Sequence, residues 1–166
     1  MIKDNIKQAS SKEDNSDLIL KAKEFLKKDD TMKKIVKEYN CDVSIIDHIP
    51  TCFKQLDVSA KTAHGIVYIN SKLLKDGDFT KDYGYLIHEY THWFQQCFGK
   101  QATQGADDGS YLDNPYEQEG FQNQIEFIDD HFGEEEAEDY VDNLLDYHDV
   151  PKKEENEKKE VLMSKV

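Results

Sequence analysis

The sequence predicts an α+β fold, and three observations carry that expectation. Apolar residues recur at helical spacing over residues 17–39, around "YLIHEYTHWFQQ" at 85–96, and again after Asn114. Between the first two stretches lie short runs rich in β-branched residues, "DVSIID", "CFKQLDVSA" and "GIVYIN". The last two are joined by "KTAHG", whose glycine suits a tight turn, so a hairpin in a small sheet is expected there.

The elements follow in order. Residues 1–16 are polar and without period and read as a flexible leader. Over 17–39 the apolar set is Leu18, Ala22, Phe25 and Leu26, then Met32, Ile35, Val36 and Tyr39. The intervening "KKDDT" breaks the pattern into two helices, with Asp30 or Thr31 as N-cap of the second. After the hairpin and a polar connection, "SKLLKDGDFTKD", a helix is expected over 81–98. Gly99 is placed to end it in a left-handed conformation.

The loop "GKQATQGADDGSYLDN" is longer than connection needs, and it lacks the DxDxDG pattern of a calcium loop. Asn114, Pro115 and Glu117 then form a helix start: N-cap, N1 and N3. A further acidic helix is expected over 134–147. The end of the chain, "PKKEENEKKEVLMSKV", is charged and low in complexity and reads as disordered. The organisation predicted is a leader at 1–16, one domain at 17–149 and a charged tail at 150–166.

Composition narrows the functional classes. The 166 residues carry 21 basic and 35 acidic side chains, a formal charge of −14, and the pI is near 4.8. Nucleic acid and anionic membrane repel such a field, so neither is expected as a partner. No apolar run approaches a membrane span and the N-terminus lacks the apolar stretch of a signal peptide, so a cytoplasmic location is expected. The three cysteines are odd in number and form no CxxC pair, which reads as reduced thiols. Cys97 falls in a stripe with Leu86, Tyr90 and Trp93 and is expected in the core.

One motif carries chemistry. "HEYTH" puts His88 and His92 four apart, on one helical face, where both rings can reach a common ion. Glu89 sits about 100° round the helix, beside that ion, where a general base would stand. Chance places an HExxH in only about 2% of chains of this composition, so two accidental surface histidines are the weaker reading. A catalytic zinc takes three protein ligands and leaves one position open. The helix after the long loop offers Glu117, Glu119 and, further along, Glu126. Glu117 shares the apolar stripe of Gly120, Phe121, Gln124, Ile125 and Ile128, whereas Glu119 lies about 200° away, toward solvent. Glu117 is the expected third ligand, with Glu119 as the alternate; a capping role at N3 would compete for the Glu117 carboxylate. Gly120 lets this helix approach another closely.

"HEYTH" followed by "NPYEQEGF" resembles the gluzincin branch of the zincin metallopeptidases. The likeness is to small bacterial and phage-type members that read HExTHxxQ and then NPxExEAxxxQ, and it covers roughly residues 56–128. It implies a zincin-like α+β fold in which an active-site helix is followed by a glutamate-bearing helix. It also implies Zn2+ held by His88, His92 and Glu117. Several gluzincins follow the ligand glutamate with a small residue three on and an acid or asparagine four on; here those positions are Gly120 and Phe121. "VSAKTAHGIVYIN" resembles the zincin hairpin whose edge strand pairs with an extended substrate. No third histidine stands at the metzincin spacing.

The function implied is hydrolysis of a peptide bond in a peptide or protein substrate, with Glu89 as general base. Tyr111, just before the glutamate helix, is the expected donor to the developing oxyanion, with His64 in the hairpin turn as a rival. His48, His131 and His148 are isolated in the sequence and receive no role. The alternative is a catalytically inactive binding protein that keeps the zincin scaffold and its zinc.

Overall fold

A computed structural model describes residues 17–75, 79–99 and 111–166. The predicted leader at 1–16, most of the loop after Gly99 and part of the connection before the histidine helix lie outside these residues. The fold is mixed α+β, mostly helical, with a small three-stranded sheet. The chain divides into two compact units, with the boundary between Tyr83 and Gly84, inside the histidine helix.

In the first unit, helix α1 covers 17–28 and α2 covers Asp30–Glu38. The break falls at Asp29, whose side chain accepts from the Met32 N–H at 2.9 Å. Asp29 is therefore the N-cap, one residue earlier than Asp30. Ala22, Leu26, Met32, Ile35 and Val36, five of the eight predicted apolar positions, are buried. "DVSIID" is not a strand. Asp42 accepts from the Ser44 N–H at 2.9 Å and starts a 3-10 helix, Val43–His48. That local side-chain bond offers the backbone an alternative to a sheet ladder and outweighs β-propensity.

Strands β1 (Thr51–Lys54), β2 (Ala60–Ala63) and β3 (Ile66–Asn70) form the sheet in the order β1-β3-β2. The hairpin joins β2 to β3, with Ala63 opposite Ile66. Its turn residues, His64 and Gly65, both have positive φ, 53° and 75°, as a two-residue type I′ turn requires. The strand expected as "CFKQLDVSA" is split in two. Its first part, β1, pairs with β3 in parallel, and "KTA" belongs to β2 and not to the connection.

Helix α3 runs Phe79–Cys97, and Gly99 follows with φ 84°. After a 3-10 turn at Tyr111–Asp113 come α4 (Pro115–Phe132), α5 (Glu134–Tyr147) and α6 (Lys152–Leu162). Asn114 caps α4 as expected, accepting from the Tyr116 N–H at 2.9 Å with Pro115 in the first turn. Leu112, Phe121, Ile125, Ile128, Ala137, Val141, Leu145 and Leu162 form the core of the second unit.

Two expectations are corrected here. The segment 150–166 is not a disordered tail: it contains α6, and Leu162 is 1% exposed in that core. Polar groups on α6 hold the same position. Gln122 donates to the Val161 carbonyl at 3.0 Å, and the Lys158 ammonium pairs with Asp113. Charged composition concealed this because the docking apolar residues are few and lie at the C-terminal end of the helix. Cys97 is exposed and not core, because α3 runs two residues past Gln95, the end of its buried stretch. All three cysteines are free thiols. Among the described residues, no helix is long and apolar enough to cross a membrane.

Candidate metal centre

The site lies wholly in the second unit and is built from α3 and α4. The i, i+4 spacing of "HEYTH" puts two rings on one face of α3, edge to face at 73°, with centroids 4.8 Å apart. Their Nε2 atoms converge to 3.1 Å. Glu117, in the first turn of α4, places Oε2 at 3.2 Å from His88 Nε2 and Oε1 at 3.1 Å from His92 Nε2. The carboxylate is thus spent on the histidines, although the helix start could have used it as a cap.

The close approach of α4 to α3 depends on Gly120. A Cβ built there would lie 3.0 Å from His88 Cε1 and Nε2 and 3.1 Å from Nδ1. Phe121 packs its ring against His88 at a centroid distance of 4.5 Å. The His88 ring is therefore held sterically, and its buried Nδ1 has no hydrogen-bond partner among the described residues. His92 is held differently. Its Nδ1 faces Gln95 Oε1 at 2.8 Å, and the Gln95 amino group donates to Glu119 Oε2 at 2.8 Å.

These three side chains form a group that can hold a metal ion. Ligands bonded at about 2.0–2.2 Å and at tetrahedral angles stand roughly 3.3–3.6 Å apart. The two Nε2 atoms, 3.1 Å apart, are within a few tenths of that figure, and each meets a different Glu117 oxygen at 3.1 to 3.2 Å; with one ligand atom taken from each residue, the set lies within 4.8 Å. Three ligands from one side also leave a coordination position open.

Electrostatics are consistent with a cation site. Burial works to raise the Glu117 pKa, but hydrogen bonds from His88 and His92, with their charge, hold it well below the carboxylate range. Burial works to lower the His92 pKa. The hydrogen bond and charge of Glu117, with Glu89 and Gln95, outweigh burial and raise it to about 9. Glu89 is 7% exposed, and burial pushes its carboxyl upward against the pull of His88 and His92.

The structure brings five expected site residues together: His88, His92, Glu117, Glu89 and Tyr111. Burial raises the Tyr111 pKa first, followed by the charge and hydrogen bond of Glu117. Tyr111 is still 49% exposed, so solvent screens part of that effect. Glu119 does not point into solvent as its helical phase suggested; it ends on Gln95. Glu126 is buried two turns further along α4 and is not part of the ligand group. His64 is an exposed turn residue.

Two residues escaped the sequence reading. His148 stacks on Tyr111 at 5.0 Å and 24°, and nothing in the linear order links positions 111 and 148. Gln95 did carry a signal, because it follows His92 by three and so shares its helical face. Compared with protein-family models, with curated proteins and with solved structures, the chain gives no match.

Proposed function

We propose that the protein is a zinc-dependent metallopeptidase with a zincin-like fold, hydrolysing peptide bonds in a peptide or protein substrate. The observation that carries the reading is the convergence of His88, His92 and Glu117 within 3.1 to 3.2 Å, with Glu89 buried beside them. The resemblance of "HEYTH…NPYEQEGF" to gluzincins supplies the substrate class. A zinc ion held by these three ligands would acidify a water and polarise a substrate carbonyl.

The chain's own residues do the rest. Glu89 lies outside the ligand group, and its raised pKa suits a carboxylate that must first take a proton and then release it. It accepts the proton of the attacking water and delivers it to the amine nitrogen as the peptide bond breaks. Tyr111 keeps its phenolic proton, since its pKa is raised. Turning from Glu117, it donates to the carbonyl oxygen as charge accumulates there. His148, stacked on its ring, limits the positions that phenol can take.

The test is digestion of a peptide library by zinc-loaded protein, wild type against Glu89→Gln. Cleavage that stops on chelation, returns with zinc and is lost in Glu89→Gln, with zinc content and melting temperature kept, is the expected result. Retained zinc without cleavage in the wild type would favour the inactive binding scaffold. Wild-type rates in Glu89→Gln would remove Glu89 as the base.

A further inference from the structure

We infer that Glu119 and Gln95 form a positioning pair that holds the His92 imidazole through a hydrogen bond from Nδ1–H to Gln95, with Nε2 directed at the ligand group. The inference deepens the metal-site reading above and rests on it.

Gln95 is 1% exposed, and its side chain has one oxygen that accepts and one nitrogen that donates twice. That nitrogen faces Glu119 Oε2 at 2.8 Å and the Tyr116 carbonyl at 3.2 Å. Both partners are acceptors. Turning the amide over would set its oxygen against both of them and leave its two donor hydrogens misdirected, a costly arrangement in a buried site. The amide orientation is therefore determined by Glu119 and Tyr116.

Its oxygen is then fixed 2.8 Å from His92 Nδ1. An amide oxygen only accepts, so Nδ1 carries the hydrogen. Nε2 is the atom that meets His88 and Glu117: without a metal its hydrogen faces the Glu117 carboxylate, and a metal that replaces that hydrogen finds the Nε2 lone pair while Nδ1–H stays on Gln95. Groups that orient a ligating histidine in this way typically contribute 10–100-fold to metal affinity. His88 has no equivalent bond and relies on Gly120 and Phe121, so hydrogen-bonded control in this site falls on His92. Glu119 acts on the ligand set through one amide and does not ligate.

The experiment uses the full chain with Gln95→Leu, Glu119→Ala and Glu119→Gln. Two readouts are taken. Zinc affinity is measured by chelator competition, and the exchange protection of the His92 Nδ1–H is recorded by 15N-edited NMR in metal-free protein near neutral pH. We expect Gln95→Leu to lose 10–100-fold in zinc affinity and Glu119→Ala about tenfold. Glu119→Gln, whose amide oxygen still accepts from Gln95, should stay near wild type. The His92 Nδ1–H should be protected from exchange in wild type and Glu119→Gln, and exchange faster in Glu119→Ala. Unchanged affinity and Nδ1–H protection in Gln95→Leu and Glu119→Ala would overturn the pair. A wild type that binds no zinc, yet shows this protection pattern, would overturn the metal reading and leave the pair standing.

Discussion

Gly120 offers bare backbone to the His88 ring, where a Cβ would come within 3.0 Å of Nε2. The ring can neither turn nor retreat freely, because Phe121 packs against it at 4.5 Å. Gly120→Ala should therefore have opposed effects. Helix propensity favours alanine by about 0.8–1 kcal/mol, while the added methyl forces His88 away from the ligand position. We predict little change in melting temperature of the metal-free protein and a loss of tenfold or more in zinc affinity, read by chelator competition.

Proton competition gives the second prediction. In metal-free protein the His92 pKa is raised to about 9, so below that pH zinc must displace a proton. Apparent zinc affinity should climb about tenfold per pH unit toward pH 9 and then level off. Stability of the metal-free protein should run the other way. The raised His92 pKa contributes stability that is full below the unfolded value of 6.5 and is lost as pH rises through about 9. The lowered Glu117 pKa contributes above 4.5 and is lost as pH falls. Thermal melts in chelator should therefore show more stability near pH 6 than near pH 9.5.

That His88, His92 and Glu117 come together was legible because its signals are local. HExxH on a helix puts two rings on one face, and the Asn114–Pro115 start fixes the phase of Glu117 against Phe121 and Ile128. The roles of Glu119 and His148 were not legible, because each depends on how separate elements pack. Helical phase placed Glu119 away from the apolar stripe but could not show that Gln95 reaches it. The sheet was legible in its hairpin, where "HG" supplies two positive-φ positions. Its parallel strand β1 was not, since no local signal distinguishes a parallel partner from a continued antiparallel one.

The C-terminal helix provides the third prediction. Leu162 is 1% exposed in a core shared with Phe121 and Ile125, on the helix that carries Glu117. Leu162→Ala should cost about 2–5 kcal/mol by urea denaturation, as for a core leucine. A cost under about 0.5 kcal/mol, typical of surface positions, would mean that α6 is not docked.

The central claim is that His88, His92 and Glu117 hold one metal ion, and a zinc titration of wild type against Glu117→Ala tests it most directly. The account predicts close to one tightly held zinc per wild-type chain. It also predicts a loss of orders of magnitude in Glu117→Ala, well beyond the tenfold expected for Glu119→Ala. Absence of zinc binding by the wild type, or wild-type affinity in Glu117→Ala, would contradict it.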